Sequence, residues 1–159
     1  HRRENHGQGL MRIAQAVHSI SFQNPQKHFL IPLHPNPKVQ NTLKVSLAPL
    51  PNVHLVDALG YVDFISAMRH CCFIMSDSGG VQEEAPSLGK PVLVLRETTE
   101  REEAIKAGTA KLVCTCSRTI LSEANRLLTD KTHYASMASA HNPYGKGRAA
   151  RHIAEILCT

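Results

Sequence analysis

Tryptophan is absent, and aromatic residues make up only 4% of the 159 residues. That shortage removes the stacking platform on which a single-stranded nucleic acid would lay its bases. Positive charge is in modest excess, 18 Lys plus Arg against 13 Asp plus Glu for a formal net charge of +5, but no run of five basic residues occurs. Cations scattered in this way do not form the basic stripe of a nucleic-acid binder, whereas two or three of them converging with amide donors suffice for a nucleotide or a phosphate. No apolar stretch reaches the roughly 18 residues that suggest a membrane span. A charged fraction of 19% beside 42% hydrophobic residues excludes a disordered chain. No short-period repeat and no basic-then-apolar secretory leader is present.

The five cysteines, Cys71, Cys72, Cys114, Cys116 and Cys158, include no C-x-x-C pair. Cys71-Cys72 opens an apolar run, and Cys114-Thr115-Cys116 is too tight for a usual zinc knuckle. The expectation is free thiols, buried in the case of Cys71 and Cys72 within a strand, in a reducing cytoplasm. There are ten histidines, but no two are three or four apart as one helix face requires, so no metal is expected. The length suits a single domain over residues 1–159. The opening string His1-Arg2-Arg3-Glu4-Asn5-His6-Gly7, without Met, reads as a piece of a longer polypeptide.

Short apolar runs at 28–33, 53–57, 71–76, 91–95 and 111–115 are continuous rather than alternating, as in strands of a parallel sheet buried on both faces. Between them, Leu10, Ile13, Ala14, Val17 and Ile20 fall at helical spacing, as do Phe64, Ile65 and Met68, and Ile120, Ala124, Leu127 and Leu128. Pro35-Asn36-Pro37, Pro49-Leu50-Pro51-Asn52 and Asn142-Pro143-Tyr144-Gly145 read as turns. Repeated strand and helix predict an α/β domain, a Rossmann-like doubly wound parallel sheet with helices on both faces. Ligands of such sheets bind beyond the carboxyl ends of the strands, in the loops that lead into helices.

The most informative loop is Ser76-Asp77-Ser78-Gly79-Gly80-Val81-Gln82-Glu83-Glu84. Glycines let backbone amides approach a ligand, and a helix start adds unpaired N–H donors, which suits a phosphate or diphosphate. Equally, Ser76, Asp77 or Ser78 is a helix cap and the glycine pair eases a turn. Glu84, four residues after Gly80, is placed to accept paired ribose hydroxyls. Pro86 and Pro91 bracket a helix stop. In Arg96-Glu97-Thr98-Thr99-Glu100-Arg101, Thr98 or Thr99 reads as an N-cap and the acids as structural, while Arg101 beside a phosphate loop has an electrostatic use. Arg2 and Arg3 are further phosphate partners, with Glu4 orienting one of them. From residue types and spacing alone, the ligand expected is anionic and nucleotide-like.

These strings, with His1-Arg2-Arg3-Glu4-Asn5 and Pro32-Leu33-His34-Pro35-Asn36-Pro37, together resemble the bacterial non-hydrolysing UDP-N-acetylglucosamine 2-epimerases. The resemblance implies one half of a GT-B fold, the C-terminal UDP-binding domain, facing an N-terminal domain of the same enzyme in a homodimer. It implies diphosphate on Ser78, Gly79 and Gly80, ribose on Glu84, and uracil against Phe64 and the backbone near Leu59. Arg101 supports the site, and His1 lies near the diphosphate as the catalytic participant. A second UDP-N-acetylglucosamine, bound as activator, would meet Arg2, Glu4 and His34. The implied reaction interconverts UDP-N-acetylglucosamine and UDP-N-acetylmannosamine for surface polysaccharide, without a cofactor. The alternatives are a UDP-sugar-binding module without turnover and the donor domain of a GT-B glycosyltransferase.

Two stretches depart from the family pattern. Val113-Cys114-Thr115-Cys116 stands where Val-Gly-Thr-Asp is usual, and Tyr144-Gly145-Lys146-Gly147 where Tyr-Gly-Asp-Gly is usual. The first loses a cap carboxylate, for which Ser117 is the expected partial substitute.

Overall fold

Helices and short strands alternate along the chain. The computed structural model describes residues 2–145 and 147–158. A 3-10 turn at Arg3–Asn5 leads into α1 (Gln8–Gln23), β1 (Phe29–Pro32), α2 (Pro37–Leu47), β2 (Val53–Val56), α3 (Tyr61–His70), β3 (Ile74–Ser76) and α4 (Gly79–Glu84). A 3-10 turn (Ala85–Leu88), β4 (Val92–Val94), α5 (Glu102–Ala107), β5 (Ala110–Leu112), α6 (Ser117–Thr129), α7 (Lys131–Ala138) and α8 (Ala149–Leu157) follow.

Each expected strand forms and is shorter than the apolar run that predicted it. Hydrogen bonding continues past the strand ends, where the amides of Leu33, Leu95 and Val113 donate to Val56, Ser76 and Val94. All pairing is parallel, with Phe29 opposite Val53 in one ladder and β4 between β3 and β5 in the other. The expected single sheet is therefore divided into a two-stranded and a three-stranded ladder. Phe29 and Met75 pack against the buried clusters on both sides of this division, so the interior is shared although the hydrogen bonding is not.

β4 shows why its sequence is a run rather than an alternation. Leu93 packs with Ile13 and Ile20 of α1 and Ile120 of α6, while Val92 and Val94 pack with Met68 of α3, Val81 of α4 and Ala104 of α5. Both faces are covered by helices, and all three β4 residues are fully buried. Each such aliphatic side chain contributes about 1.5–3 kcal/mol through removal from water. The stripe Leu10, Ala14 and Val17 of α1 meets Val39, Leu43 and Leu47 of α2. Pro37 begins α2 and Asn36 caps it, its side chain accepting the Lys38 amide at 3.0 Å, so the Pro35–Pro37 turn is also a helix start. Gly89, at φ 62, ends the 3-10 turn in the left-handed region and returns the chain to β4.

Three local expectations are corrected. No cysteine is buried: Cys72, Cys116 and Cys158 are exposed, and Cys71 and Cys114 are intermediate, though all five are free. Cys71 closes α3 as its C-cap instead of entering a strand, and the chain bends through residues 71–73 before β3 begins at Ile74. Ser117 does not cap α6. It is the first helical residue and its hydroxyl reaches Gln15 at 3.5 Å, while Cys116 holds the N-cap position without a side-chain cap bond. Neither Thr98 nor Thr99 caps α5, whose N-cap is Arg101; the Thr99 hydroxyl accepts the Arg101 amide one turn earlier.

Candidate functional site

The loop between β3 and α4 is built by its own polar residues. The Ser76 hydroxyl accepts the Ser78 amide at 3.1 Å, and Ser78 is the N-cap of α4 without a side-chain cap bond. Asp77 is buried, and its Oδ2 accepts the Arg2 amide at 2.8 Å and the Asn5 side-chain amide at 3.1 Å. The Arg2 Nε donates to the Asp77 carbonyl at 3.3 Å, and Asn5 also donates to the Leu95 carbonyl. Burial opposes ionisation of Asp77, but donors including the Arg2 amide and Asn5 hold it below the usual carboxylate range. The carboxylate thereby fastens the 3-10 turn that carries Arg2 and Glu4 to the end of β3.

The glycine pair is not explained by a turn. Neither Gly79 nor Gly80 has a positive φ. A Cβ on Gly80 would come no nearer than 3.9 Å to any neighbour, the Ser78 hydroxyl. A Cβ on Gly79 would meet Glu100 at 3.4 Å, Arg2 at 3.7 Å and Arg101 at 3.8 Å, all flexible side-chain ends. Backbone conformation and packing therefore both tolerate a side chain here. What its absence provides is open approach to the backbone at the start of α4, flanked by two guanidinium groups.

Those arginines belong to a charged network around the loop. Arg96, two residues past the end of β4, has a side chain only 10% exposed and donates to Glu4 at 2.7 Å and to Glu100 at 2.6 Å. Glu4 first, and then Glu100, hold its guanidinium further in the charged form. Arg2 lies 3.7 Å from Glu100, and Arg101 pairs with Glu83. Glu4 pairs with Arg96, which the fold of β4 brings to the turn, while the side chain of Arg3 lies outside those described. Arg96 is committed to two carboxylates, while the half-exposed Arg2 and Arg101 border the open space above Gly79.

Glu84 ends α4 and accepts from the Tyr61 hydroxyl at 3.4 Å. Tyr61 begins α3, so this bond brings Glu84 to the segment that carries Leu59 and Phe64. Phe64 is half-buried and packs with the cluster of Met68, Val81 and Val92, as the helical stripe predicts. His34 is exposed in the loop after β1, its Nδ1 accepting the Asn36 amide at 3.2 Å. His1 lies outside the described residues. Among the described residues, no group of three or more His, Cys, Asp or Glu is arranged to hold a metal, and no helix is long and apolar enough to cross a membrane.

Three participants were not singled out from the sequence. Tyr61 lies in a helix whose stripe drew attention to Phe64 instead. Arg96 carried a signal, an arginine two residues past a fully buried strand. Gln82 is fully buried, its side chain donating to the Ser78 carbonyl at 3.1 Å and accepting from the Thr99 hydroxyl at 2.7 Å. Its spacing from Ser78, four residues, is the helical interval that permits the first of these bonds.

Comparison with known proteins decides the family. Residues 1–158 match the family model described as UDP-N-acetylglucosamine 2-epimerase. The chain belongs to that family. It is 48% identical to the UDP-N-acetylglucosamine 2-epimerase of Campylobacter jejuni over 99% of its own length and 41% of the relative's. With the Salmonella typhimurium epimerase the identity is again 48%, over 42% of that protein. The crystal structure of the Neisseria meningitidis UDP-GlcNAc 2-epimerase bound to UDP-GlcNAc superposes with a TM-score of 0.95 at 46% identity, covering 99% of this chain and 43% of that one. The S. aureus MnaA–UDP structure gives 0.95 at 39% identity, again over 99% of this chain and 43% of the other. The chain therefore spans about two fifths of the length of these epimerases, and the α/β fold class and the resemblance read from the sequence are both borne out.

Proposed function

We propose that this chain is the UDP-binding domain of a UDP-N-acetylglucosamine 2-epimerase, acting with a second domain of the same enzyme. The observation that carries this reading is the glycine pair: open, not required by the backbone, and flanked by Arg2 and Arg101. A diphosphate over Gly79 and Gly80 would receive backbone N–H donors, with the Ser78 hydroxyl and two guanidinium groups nearby. Glu84 takes the ribose hydroxyls in exchange for its long bond to Tyr61, and the uracil lies against Phe64 and the backbone near Leu59. Arg2, Glu4 and His34 serve an activating second UDP-N-acetylglucosamine, and His1 lies near the reacting sugar.

In the reaction, a base removes the C2 proton while UDP leaves C1, and re-addition of UDP with protonation on the other face gives UDP-N-acetylmannosamine. This domain's part is to stabilise the negative charge that accumulates on the departing diphosphate, for which fixed donors are most effective. The carboxylates that move the C2 proton belong, on this reading, to the second domain. The product serves as a precursor of surface polysaccharide in the cytoplasm, and the whole enzyme is a homodimer.

Calorimetric titration of the chain with UDP tests the proposal. Binding is expected, with Glu84→Ala reducing affinity roughly tenfold through loss of a charged acceptor. Gly80→Ala is expected to reduce it at least as much while leaving the melting temperature unchanged or slightly raised, since alanine favours a helix over glycine. Absence of UDP binding by the unaltered chain, or full affinity in both variants, overturns the proposal.

A further inference from the structure

We infer that Gln82 is a positioning residue that ties the diphosphate loop to the arginine-bearing loop after β4. The inference rests on the UDP-binding reading and deepens it. Gln82 is fully buried, in the six-residue helix α4 whose first turn is the glycine pair. An uncharged amide in such a place is costly unless it is bonded. Its Nε2 donates to the Ser78 carbonyl at 3.1 Å, on the helix's own first turn. Its Oε1 accepts from the Thr99 hydroxyl at 2.7 Å, and that hydroxyl in turn accepts the Arg101 amide at 3.1 Å. A single side chain therefore joins the backbone at Ser78 to the backbone at Arg101 through Thr99.

This hydrogen-bonded path passes through the fully buried Gln82 and connects the two sides of the space above Gly79. The surface pair Arg101 and Glu83 spans the same interval, but its partners are half-exposed and free to exchange with a ligand. Gln82 is beneath the loop and cannot touch a diphosphate lying above the glycines. Its contribution is to keep the Ser78–Gly80 amides and Arg101 at a fixed separation before the ligand arrives, which lowers the ordering cost of binding. The amide does what neither a carboxylate nor an apolar side chain can, since the Ser78 carbonyl requires a donor and the Thr99 hydroxyl an acceptor.

The test compares UDP with uridine, which shares the base and ribose but has no phosphate. Gln82→Met keeps the length and apolar bulk and removes both bonds. It is expected to weaken UDP binding five- to tenfold while uridine affinity, read by competition or NMR titration, stays within twofold of the unaltered chain. A general structural role would lower both affinities together. Should Gln82→Met not fold, Thr99→Val, which cuts the link at its other end, is expected to give the same split. In a double-mutant cycle the two losses should not add, because each breaks the same path. UDP affinity unchanged in Gln82→Met, or in Thr99→Val where that is the variant that folds, or an equal loss for uridine, overturns the inference while leaving UDP binding itself intact. Failure of the unaltered chain to bind UDP overturns both.

Discussion

At the scale of single residues, Cys114 is the clearest point of tension. Its φ of 56 places it in the left-handed region, where no other non-glycine residue is found among those described. A side chain there costs about 1–2 kcal/mol. Cys114→Gly is therefore expected to stabilise the chain by about 1 kcal/mol, raising the thermal midpoint by roughly 3 °C. Thermal unfolding followed by circular dichroism checks this, and a lowered midpoint contradicts it. The loop residues Gly79 and Gly80 are the converse case, glycines whose φ does not require them. Residue identities made the Ser76–Glu84 loop conspicuous in the sequence, but not the partners of its charges. Glu4 meets Arg96 across 92 positions of chain, and only the course of β4 makes that distance 2.7 Å.

At the scale of elements, helix starts decide the local chemistry. Cys116 occupies the N-cap of α6, where it forms no neutral cap bond, but the Thr119 amide and hydroxyl favour its thiolate and lower its pKa. Cys114 is shifted the other way, first by its hydrogen bond to Glu97 and then by burial. An acid whose folded pKa is lowered stabilises the fold above its unfolded pKa and loses that contribution as pH falls through the folded value. The support that ionised Cys116 gives α6 is thus fully present above the unfolded thiol range and is lost as pH falls through the lowered folded value, whereas aspartate would keep it to far lower pH. Thiolate being the nucleophile, iodoacetamide near pH 8 is expected to label Cys116 several-fold faster than Cys114. Fragmentation mapping of the labelled peptide reads this ratio, and equal rates overturn it. Short helices also hide their starts: α5 has six residues, too few for a periodic stripe to mark Arg101 rather than Thr98 or Thr99 as its N-cap.

At the scale of the whole molecule, the core is divided among three clusters that α1 and β4 connect. α8 takes no part in any of them. It has no buried residue, and Ile153, Ile156 and Leu157 are 56%, 74% and 79% exposed. Removing residues 149–158 is accordingly expected to leave the thermal midpoint within about 2 °C, since little apolar area returns to water. A fall of 5 °C or more would mean that α8 carries stability which its exposure denies. The sequence by itself determined the five strands, the helices that carry apolar stripes and the burial of β4 on both faces, because runs, periodicities and turn residues are local properties. The tertiary structure alone decided that the sheet is split into two ladders, that Glu4 and Glu100 share Arg96, and that Gln82 joins two loops. Those outcomes depend on contacts between distant segments, and no local pattern encodes which distant atom will complete a buried hydrogen bond.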